Sequence, residues 1–133
     1  MRPYFVCAML LLLASFVLAA DSGTSKPAVP SGRVLFAEHC ASCHGVDAKG
    51  AGPAALTLKI QPPDLTSLAK RDGKFPYDQV YKTIDGDFPV TAHGTREMPT
   101  WGALFLALTD LNQQTAEQYV RNLTNYIKSI QGK

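Results

Sequence analysis

Several things are scarce in this 133-residue chain, and each scarcity closes a door. Strong charge of one sign is missing, since 13 Lys and Arg face 11 Asp and Glu for a formal net charge of +2. That balance excludes a nucleic-acid binder working through a basic face. Strand-like alternation and internal repeats are missing too, which leaves a helical reading. With 46% hydrophobic residues the chain is not collagen-like, low-complexity or disordered, and its length suits one domain. Sulfur is thin as well, with three Cys and three Met. Where those few sulfur atoms fall decides most of the reading.

The one long apolar run, Phe5 to Ala20, is broken only by Ser15 and follows a single positive charge at Arg2. A positive start, an apolar stretch and a small-residue end at Ala19-Ala20 predict a secretory signal peptide over residues 1–20. As a helix such a run reaches about 24 Å, short of the roughly 30 Å hydrocarbon core. An uncleaved N-terminal anchor is the alternative. No Cys follows the small-residue end and Cys7 lies too early, which speaks against lipoprotein processing. The mature chain is therefore expected to begin near Asp21 and to work in the periplasm or otherwise outside the cytoplasm. Cleavage removes Arg2, leaving 12 basic and 11 acidic side chains. It also removes Cys7, Met1 and Met9, so that Cys40, Cys43 and Met98 are the remaining sulfurs. Two cysteines in an exported protein suggest a disulfide. Two residues apart, however, they would close too small a loop to restrain the unfolded chain, and a redox pair or shared ligand suits the spacing better.

Residues 21–31, rich in Ser, Gly and Pro, predict a flexible lead-in, and residues 32–133 a single domain. Val34, Leu35, Phe36 and Ala37 support a first helix from Gly32 running into the cysteines at His44. Gly45 to Pro76 holds too many Gly and Pro for a long helix or strand, with one short helical turn over Leu65 to Lys70 capped by Asp64. So long an irregular stretch inside one domain makes sense if it wraps around something other than protein. Tyr77, Val80, Tyr81 and Ile84 predict a short helix ended by Gly86. A second irregular stretch runs from Asp87 to Gly102. Thr115 and Gln118 read as a capping box ahead of a final amphipathic helix carrying Tyr119, Val120, Leu123, Tyr126, Ile127 and Ile130. The expected class is all-α.

Cys40-Ala41-Ser42-Cys43-His44 is the C-x-x-C-H pattern of covalent haem c attachment. Two thiols so spaced reach the two vinyl groups on one porphyrin edge and form thioethers. The next residue, His44, then lies under the ring centre, where its imidazole ligates iron. Attachment takes place outside the cytoplasm, which agrees independently with the signal peptide. A zinc site would lack its other ligands, because His39 and His93 are unpaired and no further Cys exists. A thioredoxin-like pair would need a βαβ context.

With Leu35 and Phe36 before CASCHG, then Gly52-Pro53, then REMPTW and an amphipathic last helix, the chain resembles a monohaem class I cytochrome c over about Gly32 to Gln131. The resemblance implies the cytochrome c fold, short helices and long loops around one haem attached through Cys40 and Cys43. It places Met98 as the second axial ligand, a soft thioether that favours Fe(II) and raises the potential relative to a second histidine. His93 is the rival ligand, and His39 reads as a surface or boundary residue. The Pro53 carbonyl is expected to accept the Nδ1–H of His44 and fix the ring. Trp101 is expected to pack on the haem or donate to a propionate, with Arg71, Arg96 and the tyrosines as further propionate partners. Gly32 and Phe36 would face Tyr119, Leu123 or Tyr126 at a close helix crossing, and Pro62-Pro63-Asp64-Leu65 would form a rigid turn along the haem edge.

A six-coordinate His/Met iron has no open position, so the implied role is outer-sphere electron transfer rather than catalysis. The expected partners are redox proteins met transiently by a monomer, with no nucleic acid, and a membrane only if the N-terminal segment is retained. A haem c subunit of a membrane-bound oxidase or dehydrogenase is the alternative function. Enzymatic readings are a thiol–disulfide oxidoreductase using Cys40 and Cys43, or a weak peroxidase.

Overall fold

The hydroxyl of Ser31 accepts a hydrogen bond from the Val34 amide at 3.4 Å and starts helix α1, Gly32–His39. In this computed structural model residues 28–70, 73–86 and 98–132 are described. The N-terminal apolar run, Arg71, His93 and Arg96 lie outside the described residues. Every regular element among the described residues is helical, as the all-α expectation requires. The helix expected to run into the cysteines is a broken one. It stops at Cys40, whose amide still donates to the Phe36 carbonyl, and a four-residue helix α2, Ala41–His44, follows at once.

Between these and the next helix lie two 3-10 turns. Pro53–Thr57 was not anticipated, whereas Leu65–Lys70 falls where a turn was expected. Asp64 Oδ1 accepts from the Thr66 amide at 2.8 Å and from its hydroxyl at 2.6 Å, which is the expected cap. Helix α3, Tyr77–Asp85, ends at Gly86 in the left-handed region at φ 107°, where glycine carries no Cβ penalty.

Two features of the C-terminal half depart from expectation. The segment after Met98 holds a further helix α4, Trp101–Leu108, where an irregular stretch to Gly102 was expected. Its sequence, WGALFLAL, has no polar residue to mark a period, so periodicity passes over it. The last helix α5, Gln113–Ser129, starts earlier than a cap at Thr115 would allow. Asn112 is the cap, its Oδ1 accepting from the Thr115 amide at 2.9 Å, and Gln118 donates instead to Asn122 Oδ1 at 2.8 Å.

Helix α5 is the spine, packing on α1, α3 and α4. Leu35 and Phe36 from α1, Ile84 from α3, Phe105 from α4, and Val120, Leu123 and Ile127 from α5 form the buried core. Each large side chain so buried is worth about 1.5–3 kcal/mol against exposure. The Phe36 and Tyr126 rings meet at 5.3 Å. Tyr119 meets Phe105 at 5.4 Å. Asn122 Nδ2 donates to the Pro30 carbonyl at 2.8 Å, which ties the segment just before α1 to α5. At the far end Gln131 accepts from the Ala69 amide and donates to the Leu65 carbonyl, tying the 65–70 turn to the end of α5.

Candidate functional site

Cys40 opens α2, which carries Cys43 and His44 on its last turn. Both thiols are free and half-buried. Burial, and then the neighbouring Cys43, pushes the Cys40 thiol up to about 12. A nucleophilic or redox-active cysteine needs the opposite shift, so this environment disfavours a thiol–disulfide pair. Among the described residues no group of three His, Cys, Asp or Glu is placed to hold a metal ion by itself, which disfavours the zinc reading there.

After His44 the chain folds back on the motif. The Gly50 amide donates to the His44 carbonyl at 2.7 Å, and the Gly52 amide to the Cys43 carbonyl at 3.1 Å. A Cβ at Gly52 would collide with the backbone carbonyls of Ala41 and Ser42, and one at Gly50, itself at φ 82°, with that of Pro62. The Leu65 amide donates to the Ala48 carbonyl at 2.8 Å. Together these contacts lay Pro62-Pro63-Asp64-Leu65 across the loop, against His44.

His44 Nδ1 is buried and has no hydrogen-bond partner. Burial holds the imidazole below its ordinary pKa, while the Pro63 backbone beside it pulls the other way. The acceptor expected beside this nitrogen was Pro53, whereas in the structure the Pro63 backbone lies beside the imidazole. Pro53 is exposed and opens its own 3-10 turn, so the Gly52-Pro53 pair serves the close approach to α2. The signal for Pro63 was present in the Pro-Pro-Asp-Leu turn, whose Asp64 cap holds the preceding carbonyl in place.

Met98 is half-buried and packs against the core. Trp101 opens α4, its indole stacked on Phe105 at 5.7 Å and 29°. His39 lies between the two, 5.4 Å from Trp101 and 5.4 Å from Phe105, with Nε2 3.8 Å from a Glu38 carboxylate oxygen. A boundary position was expected for His39, but its aromatic contacts were not; no spacing in the sequence announces them. Leu65, Leu68, Phe75, Val80 and Tyr81 pack half-buried against the same core and present apolar surface.

These residues fit a haem. Two free thiols suit thioether bonds, an imidazole and a thioether suit the two axial positions of iron, and half-buried apolar side chains suit a porphyrin face. The orphaned Nδ1 of His44 is the atom that a ligating histidine directs to an outer acceptor.

Comparison with known proteins agrees. A family model for cytochrome c matches residues 29–131. The chain is 30% identical over 102 residues to the cbb3-type cytochrome c oxidase subunit CcoP of Rhodobacter capsulatus, covering 77% of this chain and 29% of that subunit. It is also 30% identical over 89 residues to the cbb3-type subunit FixP of Sinorhizobium medicae, covering 66% of this chain and 26% of that one. The chain thus spans less than a third of the length of these relatives. No solved structure matches.

Proposed function

The chain belongs to the cytochrome c family, whose prosthetic group is a covalently attached haem c, and from that premise we propose that it is an exported monohaem carrier of single electrons. The haem iron, alternating between two oxidation states, supplies the redox chemistry when bound. Cys40 and Cys43 would hold the group covalently, and His44 and Met98 would supply its nitrogen and sulfur ligands. With the group bound, the Pro63 carbonyl would take the Nδ1–H of His44 and keep the imidazole in one tautomer and one orientation. The half-buried apolar side chains exclude water, so the extra positive charge of the oxidised state is disfavoured and the potential rises. With His44 and Met98 both committed to the iron, no ligand position would be left for a substrate, and transfer would be outer-sphere.

One observation carries this reading: a C-x-x-C-H segment on its own short helix, with free thiols and a buried, unpaired histidine nitrogen. Optical spectra of the oxidised and reduced protein test it, with the weak near-infrared band reporting sulfur ligation to ferric iron. Thiol titration of the same sample is expected to find neither Cys40 nor Cys43 reactive.

A second reading has a specific observation behind it. Both relatives are named as oxidase subunits, which favours a haem c subunit of a membrane complex. No helix among the described residues is long and apolar enough to cross a membrane. Fractionation of the producing cells separates the two. Haem protein in the soluble periplasmic fraction supports the free carrier, and haem protein held only in membranes supports the subunit.

A further inference from the structure

Helix α4 is apolar on every side. Phe105 is fully buried toward α5, yet Leu104 and Leu108 are 40% and 57% exposed, and Leu111 just past the helix is 75% exposed. Ala103 and Ala107 lie exposed beside them. A helix hydrophobic all round is ordinarily buried all round. The turn that follows is strained, with Asp110 at φ 51° and Leu111 at φ 61°. Left-handed backbone costs a non-glycine residue about 1 kcal/mol or more. Within the chain that cost holds Leu111 outward, braced by its amide on the Leu106 carbonyl at 2.9 Å, with no burial of its side chain in return.

We infer that this outer face of α4, centred on Leu104, Leu108 and Leu111, docks an uncharged apolar patch on the redox partner protein; the inference rests on the electron-carrier reading above. Two observations select that occupant. No charged residue stands from Met98 to Thr109, and the one at the end of the face, Asp110, is acidic, so an anionic lipid surface finds no cation to hold it. Behind the face, the rings of Phe105, Trp101 and His39 touch in series, and His39 is bonded to Cys40. A partner seated on Leu104 and Leu108 therefore lies one layer of rings from the attachment segment.

The haem-loaded protein is compared with Leu108→Glu, Leu104→Gln and, as a control on another exposed apolar side chain, Val34→Glu. Each variant is first matched to the parent in absorption spectrum and reduction potential, which shows an intact site. Stopped-flow oxidation of the reduced protein by washed membranes of the producing organism then gives the rate. Loss of a central apolar contact is expected to slow Leu108→Glu by about tenfold and Leu104→Gln by less, with Val34→Glu unchanged. The parent rate is expected to be nearly flat with salt, because no charge pair carries the contact. Rates equal to the parent in both α4 variants overturn the inference, as does a steep salt dependence of the parent. A dimer seen by sedimentation that Leu108→Glu abolishes overturns it in favour of a second copy. Binding to phosphatidylglycerol vesicles that the same variant abolishes overturns it in favour of lipid. Should Leu108→Glu not fold, Leu111→Gln, outside the helix, carries the same expectation. A haem-loaded parent that exchanges no electrons with the membranes refutes the carrier function itself, whereas exchange at unaltered variant rates refutes the docking face alone.

Discussion

Gly32 crosses α5 directly over the Asn122 carbonyl, so closely that an added Cβ would overlap that backbone oxygen and come within 2.8 Å of Tyr126 Cβ. The obstacle on the α5 side is main chain, which cannot rotate away. Gly32→Val is therefore expected to push α1 off α5 and to destabilise the folded protein by about 1–3 kcal/mol or more, the range of overpacked cores. Denaturant titration of the haem-loaded protein checks this, and an unchanged midpoint would show that the crossing is loose.

Replacing Met98 with Ala is expected to leave the haem attached while opening the iron. The spectrum should turn high-spin, the near-infrared sulfur band should vanish, and the potential should fall, since a thioether stabilises Fe(II). A variant that stays low-spin at the parental potential would transfer the ligand role to His93.

Cys40→Ala together with Cys43→Ala is expected to abolish covalent attachment. The resulting chain should lack cooperative unfolding, because Leu65, Leu68, Phe75, Val80 and Tyr81 are only half-buried by protein alone. Circular dichroism on the purified variant decides the point, and a cooperatively folded apoprotein would contradict it.

Pro63 and Pro53 make opposite predictions. Pro63→Gly frees the carbonyl that faces His44, weakens the hold on Nδ1–H and lowers the basicity of the ligand, so the potential should rise. Pro53→Ala should leave the potential where it was. Potentiometric titration of both variants checks the pair, and the reverse pattern would restore Pro53 as the acceptor.

Acid should reach the Asp64 turn before the helices. Hydrogen bonds from the Thr66 hydroxyl and amide, with Lys70 and Lys49 nearby, hold the Asp64 carboxyl below the ordinary carboxylate range. The unfolded chain thus takes up its proton at a higher pH than the folded one. The contribution is complete above the ordinary carboxylate value and is lost as pH falls through the lower folded value. Asp64→Asn removes that titration, so its stability should change less over the acid range than the parent's, as measured by denaturation at a series of pH values.

Local chemistry written in consecutive residues was legible before any fold was known. The spacing of Cys40, Cys43 and His44 announces a haem attachment site because bond lengths alone dictate it. Asp64, Gly86 and the periodic face of α5 announce their elements because capping and helical period are short-range effects. The sequence could not choose between Pro53 and Pro63 as the acceptor for His44, because that depends on which carbonyl the loop delivers to the ring. Gly50 and Gly52 let distant backbone come close there. The same holds for His39 against Trp101, for Asn122 as the brace of Pro30, and for α4, whose uniform apolarity has no period to read. What lay within one turn of chain the residues determined by themselves, and what depended on which surfaces met across the α5 spine only the tertiary structure decided, because packing acts between segments that sequence distance does not relate.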